Sequence, residues 1–292
     1  MDRADGTIEA LAERIRGRRV VLFAGAGLSM ALGLPSWREL IDHLCGCLGF
    51  DPGDIAGPDD YRALAEYYRI RQGDVGSLRK WMDQKWGQSC ERVRHSRIHE
   101  IIVQLDFPTI YTTNYDRNIE AAFGAHGKKY VKIANAGDLA KAREGATQIV
   151  KFHGDFDDLD SLVFAETDYF DRLRFDSPLD IKFRADAFGK TVLFVGYSMS
   201  DMNIRLLLHW LWRTWEESGY GRHRPQSFLY MARENEMQAA VLEQWGVTAV
   251  RSDVGDPEQG LTRFLERLLT AVNQQKAATR SSRPRRPARA GQ

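Results

Sequence analysis

Cysteine is scarce in this chain: 292 residues contain only Cys45, Cys47 and Cys90, and no C-x-x-C spacing occurs. That excludes a disulfide framework and a four-cysteine zinc module. One grouping with metal-ligand character is left. His95 and His99 lie four apart on a predicted helix and could join Cys90 or Cys45. The plainer reading is reduced thiols and surface histidines, and no metal is expected. Long apolar runs are also missing: none approaches the roughly 18 residues of a membrane span. The N-terminus, Met1 to Asp5, is polar and mixed in charge, without a secretory apolar region. These absences predict a cytoplasmic protein that does not enter a membrane. There are no internal repeats, and proline is sparse, with 9 residues.

What is present is the profile of a soluble globular chain, 43% hydrophobic and 28% charged. The net charge of +1 is unevenly spread. Residues 276–292 carry Lys276, Arg280, Arg283, Arg285, Arg286 and Arg289 and no acid, which leaves the body acidic. This segment has no apolar period and is expected to be a disordered basic tail. It is either a solvated or protein-docking extension or a contact for nucleic-acid phosphates.

Six apolar runs read as buried strands, beginning with Val20–Ala24 and Thr109–Thr112, followed by runs near 130–133, 148–152, 191–195 and 228–231, and a seventh lies at 247–250. Helical periods lie between many of them. The pattern predicts an α/β fold, a Rossmann-like doubly wound parallel sheet. Residues 51–105 show helical periods and no strand, and read as a helical insertion. Residues 1–275 are therefore expected to form one domain that includes this insertion. Ser36 with Glu39 looks like a capping box opening a helix. The run Leu207, Leu208, Trp210, Leu211, Trp212, Trp215 is too wide an apolar band for one helix face, so that helix is either fully buried or a self-assembly surface.

Four strand ends carry residues suited to chemistry. Gly25 and Gly27 follow the first strand, where missing side chains let backbone amides approach a phosphate. The dinucleotide fingerprint is incomplete, since Met30 stands where its third glycine belongs, and no Walker lysine follows. Asn114 and Asp116 follow the second strand; Asp116 also suits a helix cap. His153, with Gly154 beside it, follows a later strand and is placed for proton transfer. Gly196 permits close approach, Ser198 suits a phosphate or ribose, and Ser200 or Asp201 caps the next helix.

In this order the segments resemble the sirtuin superfamily, and more closely its bacterial sirtuin-like NAD-hydrolase branch of the antiviral defence type. The resemblance is carried by Gly25-Ala26-Gly27 with Ser29, Gly33-Leu34-Pro35-Ser36-Trp37-Arg38, Thr112-Thr113-Asn114-Tyr115-Asp116, His153-Gly154 and Gly196-Tyr197-Ser198. It implies NAD as substrate, with Asn114 and His153 catalytic. It implies Gly25, Ala26, Gly27, Ser29, Pro35, Trp37, Arg38, Thr113, Asp116, Gly196, Ser198 and Asp201 as NAD-binding residues. Backbone around Gly25 and Gly27 would hold the pyrophosphate. Asn114 would orient the ribose or the attacking water, and His153 would act as base. Asp116 would bind the nicotinamide end or brace its loop, while Trp37 and Arg38 would cover the site. The four-cysteine module usual in protein-deacylating relatives is missing; Asp155-Phe156-Asp157-Asp158 follows His153-Gly154 instead.

The resemblance therefore implies cleavage of the nicotinamide–ribose bond to nicotinamide and ADP-ribose, by a toxic effector in antiviral defence. The rivals are NAD-dependent deacylation, ADP-ribosyl transfer, and an NAD- or ADP-ribose-sensing module without turnover. The chain is further expected to form a homo-oligomer and to be controlled by a separate chain, such as a HerA-type ATPase.

Overall fold

The computed structural model describes residues 3–281 except 35–36, 56, 74, 87–89, 143–144 and 159–160. The chain opens with α1 (Arg3–Arg16), β1 (Val20–Ala24), α2 (Ala26–Met30) and α3 (Trp37–Leu48). Helices α4 (Pro58–Gln72), α5 (Gly76–Trp86), α6 (Cys90–Arg94) and α7 (Arg97–Leu105) lead to β2 (Thr109–Thr112). Then come α8 (Asn118–Ala125), β3 (Tyr130–Ile133), α9 (Ala136–Lys141) and β4 (Thr147–Lys151). Helices α10 (Glu166–Asp171) and α11 (Pro178–Gly189) precede β5 (Thr191–Val195) and α12 (Met202–Glu217). The chain continues with β6 (Ser227–Met231), α13 (Glu236–Gln244), β7 (Val247–Arg251) and α14 (Pro257–Ser281).

The strands form one seven-stranded sheet in the order β3-β4-β2-β1-β5-β6-β7, with every pair parallel. The expected strands and the doubly wound class are present. Burial follows the two-residue period of a strand. Val20, Leu22 and Ala24 of β1 face a core shared with α1, α7, α8 and α14. Val21 and Phe23 face the opposite core, beneath α11, α12 and α13. All five are fully buried, which is why the run is uniformly apolar rather than alternating. Phe23 is ringed by Tyr111, Phe152, Phe183 and Phe194 at centroid distances of 5.2–6.1 Å. Truncating such a residue costs about 3–5 kcal/mol.

Residues 51–105 are helical, with no strand among the described residues, but they pack in two places. Helices α3, α4 and α5 make a third core, in which Leu40, Leu44, Leu64 and Met82 meet Tyr115 and Phe156. Val93 of α6 and Ile98, Ile101 and Ile102 of α7 join the sheet core instead.

Three local expectations are corrected. His95 and His99 do not share a helix: α6 stops at Arg94, and Ser96 is the extended N-cap of α7 (φ −75°, ψ 112°). Helix α14 runs through Ser281, past the expected tail boundary at Lys276. Lys276-Ala277-Ala278-Thr279-Arg280 contains good helix formers, and the first proline comes only at Pro284. Residues 282–292 lie outside the described residues, as does Ser36 with its proposed cap. Helix α12 is neither fully buried nor bare. Ile204, Leu207, Leu208 and Leu211 are buried, Trp215 stacks on Phe188 at 4.7 Å, and Trp210 is 54% exposed.

Candidate active site

The chain builds β1 and β2 on one side, returns through β3 and β4, then crosses to place β5 on the other flank of β1. The winding direction therefore reverses at the β1/β5 boundary, the place where ligands bind at the strands' carboxyl ends in this class of sheet. The four motif-bearing loops leave that edge: 25–27 after β1, 113–117 after β2, 152–155 after β4 and 196–201 after β5.

At the boundary itself two backbones touch. The Gly25 amide donates to Val195 O at 2.9 Å and the Gly27 amide to Gly196 O at 2.8 Å. A Cβ on Gly25 would sit 2.4 Å from Gly196 O, and one on Gly27 would sit 2.8 Å from Gly196 Cα. The Gly25 and Gly27 amides are thus occupied within the fold, which leaves a phosphate to other backbone groups around them. These glycines are required so that two loops can meet, and both amides are engaged in that meeting. The amide of Ala26, first residue of α2, has no carbonyl partner inside the helix.

A side-chain network lies beside this junction. Asn114 Nδ2 donates to Gly25 O and to Ser29 Oγ, each at 3.1 Å. A carbonyl oxygen only accepts, so the amide group must face Gly25, and Asn114 Oδ1 is left as an acceptor. Ser29 Oγ donates to Asp116 Oδ2 at 2.6 Å, and Asp116 Oδ1 accepts from the Asn118 amide at 3.0 Å. Asp116 therefore braces the loop and opens α8.

His153 is 4% exposed. Gly154 beside it has φ +88°, and a Cβ there would lie 2.2 Å from Ser161 O. His153 Nε2 is 3.2 Å from Asp201 Oδ2, without the alignment of a hydrogen bond. Asp201 Oδ1 meanwhile caps α12, accepting from the Asn203 amide at 2.9 Å. The ring meets Tyr169 edge-on at 5.5 Å. Burial drives the His153 imidazole down to about 4, against the opposing pull of Asp201. It is neutral at pH 7 and able to accept a proton. Burial also pushes the phenols of Tyr115, Tyr169 and Tyr197 up, so they stay protonated at neutral pH.

The loop 196–201 is held in uncommon backbone conformations, with Gly196 at φ +62° and the fully buried Met199 at φ +57°. Ser198 is exposed, its Oγ 2.8 Å from Ser200 Oγ, and its carbonyl accepts from Gln238 Nε2 at 3.1 Å. Thr113 is half-buried at the end of β2.

Other expected residues are placed differently. Arg38 uses its guanidinium on Asp42 at 2.9 Å and on Pro52 O at 2.8 Å, which fastens the α3–α4 connection rather than covering the site. Pro35 and the Trp37 side chain lie outside the described residues. No group of three metal-ligating side chains occurs among the described residues, and no helix there is long and apolar enough to cross a membrane. His99 is buried with Nδ1 2.8 Å from Ser96 Oγ. A cavity of about 770 Å³ opens between Leu32, Gly33, His95, Arg97 and Glu258, and none of the expected site residues lines it. The sequence reading missed Lys151, fully buried at the end of β4. The available signal was a lysine in an otherwise apolar run, two residues before His153. It also missed Asp201 as the neighbour of His153.

Residues 108–250 match the family model described as a SIR2-like domain. The chain is 34% identical over 205 residues to NAD(+) hydrolase ThsA of Enterococcus faecium, covering 69% of this chain and 41% of that protein. It is 28% identical over 222 residues to defense-associated sirtuin 2 of Bacillus subtilis, covering 72% of this chain and 21% of that protein. It therefore spans less than half the length of either relative. A solved Sir2 homologue–ADP-ribose complex superposes with a TM-score of 0.51 at 13% identity, covering 98% of this chain and 100% of that one, a likeness of fold.

Proposed function

We propose that the chain hydrolyses NAD at the nicotinamide–ribose bond, giving nicotinamide and ADP-ribose, as an effector of antiviral defence, a reading supported by the match of residues 108–250 to a SIR2-like domain. The observation that carries this is the pairing of an oriented amide with a neutral, buried imidazole at one sheet edge. Asn114 has its NH₂ group committed to Gly25 O and Ser29 Oγ. Its Oδ1 is thereby aimed as an acceptor for a ribose hydroxyl or the attacking water. As the nicotinamide leaves, positive charge grows on the ribose carbon, and a held water adds there. His153 takes the proton that this water loses. Asp201, 3.2 Å away, stabilises the imidazolium that results, and the proton then passes to solvent. The low basicity of buried His153 keeps it in the accepting form at neutral pH. The pyrophosphate is assigned to the Ala26 amide and to the hydroxyls of Ser198 and Ser200.

The names of the relatives, an NAD(+) hydrolase and a defense-associated sirtuin, support the reading. The test incubates purified chain with NAD and follows both products by chromatography. Equal release of nicotinamide and ADP-ribose is expected. Acyl-lysine turnover, labelled protein, or tight NAD binding without product would each replace the reading by deacylation, ADP-ribosyl transfer or sensing. We further assign the chain to the cytoplasm, to a homo-oligomer formed through the face bearing Trp210, and to control by a separate chain, with a HerA-type ATPase as the specific candidate. The basic segment 283–289 offers salt-sensitive contacts to phosphates. Light scattering checks the assembly: a fully active monomer at micromolar concentration would remove both the oligomer and the control.

A further inference from the structure

Lys151 ends β4, two residues before His153, and is fully buried. Its Nζ donates to the main-chain carbonyl of Asp116, lies 3.4 Å from Glu120 Oε1 and 3.9 Å from Asp155 Oδ2. Asp155 is also fully buried, and a second cation, Lys132, stands 3.1 Å from its Oδ1. Neither carboxylate oxygen of Glu120 has a hydrogen-bond partner among the described residues. A buried ammonium is costly unless paired, and here it has two functions at once. It balances the carboxylates of Glu120 and Asp155, and it ties the β2–α8 loop to a central strand.

That tie reaches the proposed site through an unbroken chain of contacts. Lys151 holds the Asp116 carbonyl; the Asp116 carboxylate accepts from Ser29 Oγ at 2.6 Å; Ser29 Oγ accepts from Asn114 Nδ2 at 3.1 Å. Asn114 lies two residues before Asp116 on the same loop. The β4 strand therefore sets both partners of the reaction, His153 through the chain itself and Asn114 through the Lys151 ammonium. We propose that Lys151 is the positioning residue for Asn114, acting through Asp116 and Ser29 without touching substrate; the kinetic part of this proposal rests on the NAD-hydrolase reading above.

The test is a double-mutant cycle in the full chain between Lys151→Met and Asn114→Ala, read as kcat for nicotinamide release and as the NAD dissociation constant. Lys151→Met is expected to lower kcat about 10–100-fold while changing NAD binding less than about threefold, because the pyrophosphate contacts lie elsewhere. The double variant is expected to be no slower than Asn114→Ala alone, within about twofold, since both changes remove one function. Multiplying losses would overturn the proposal. A second readout needs no turnover. The Asn118 amide, which donates to Asp116 Oδ1, is expected to exchange hydrogen at least about tenfold faster in Lys151→Met, with β1 amides unchanged. Unchanged exchange at Asn118 would overturn the tether whether or not the chain cleaves NAD. Faster exchange in a chain whose wild type leaves NAD intact would keep the tether and remove the NAD reading. If Lys151→Met does not fold, Lys151→Met with Glu120→Gln removes the stranded carboxylate as well, and the same two readouts apply.

Discussion

The sheet edge joins its loops in two different ways. Between β1 and β5 the contact is backbone against backbone, made by Gly25, Gly27 and Gly196, with amide-to-carbonyl distances of 2.8–2.9 Å. Between β2 and β4 the contact is side chain against loop, made by Asn114, Asp116, Lys151 and, through α2, Ser29. The first junction depends on atoms that are missing; the second depends on charges and hydroxyls that are present. The first therefore has no tolerance for added volume and little response to pH. The second tolerates small changes in shape but is exposed to the loss of any one polar partner.

The sharpest way to break the first junction is Gly25→Ala. Its new methyl would face Gly196 O at 2.4 Å and the Cα and ring Cδ2 of Tyr197 at 2.7 Å, so the backbone of the β5 loop itself would have to shift. A loss of more than about 4 kcal/mol is expected in urea unfolding, and a loss below 1 kcal/mol would show that the loops can part cheaply. Beside the second junction, two residues beyond Lys151 on the chain, the largest effect falls on turnover. His153→Ala should reduce kcat by about 10²–10⁴-fold while the fold persists. Turnover at the wild-type rate would remove His153 from the mechanism.

Acid should act next, through two buried histidines that flank the second junction. Burial lowers both His153 and His99 to about 4, from 6.5 in the unfolded chain. Between those values the unfolded chain binds more protons, so stability is complete above pH 6.5 and falls as pH drops toward 4. The loss is about 3 kcal/mol for each histidine. In unfolding titrations His153→Phe should flatten that slope by about half, and an unaltered slope would place the proton uptake elsewhere. The smallest effect is expected from Ser29→Ala, which takes the donor from Asp116 Oδ2 and leaves Asn114 Nδ2 with Gly25 O alone, and should cost about 1–3 kcal/mol. Equal stability of Ser29→Ala and wild type would show that water replaces the hydroxyl and that the second junction is looser than its distances imply.

The strands were legible because each centres on a short apolar or β-branched run, several of them closed by glycine, asparagine or histidine, and all seven lie where the runs predict them. The candidate site was legible as a set of residue types at strand ends. The uses of those residues were less so. Gly25 and Gly27 look like a phosphate cradle in one dimension, whereas their amides are occupied by the β5 loop, a neighbour 170 residues away in sequence. Arg38 belongs to a matching motif yet fastens a local turn. Lys151 reads as one polar residue in a strand until β2 is laid beside β4 and brings Asp116 above it.

Local order can be read from the residues alone: alternating strand and helix, parallel pairing implied by central strands that are apolar throughout, such as Val20–Ala24, and the chemical inventory at each strand end. Those are properties of periodicity and residue type, which short windows contain. Folding in three dimensions settles which strands are neighbours, that β5 lies against β1, that α6 and α7 join the sheet core while α4 and α5 do not, and which polar atoms are already partnered. Those outcomes depend on contacts between segments far apart in the chain. A backbone amide or a lysine looks the same in sequence whether its partner is a ligand, water or a carbonyl brought to it by the fold.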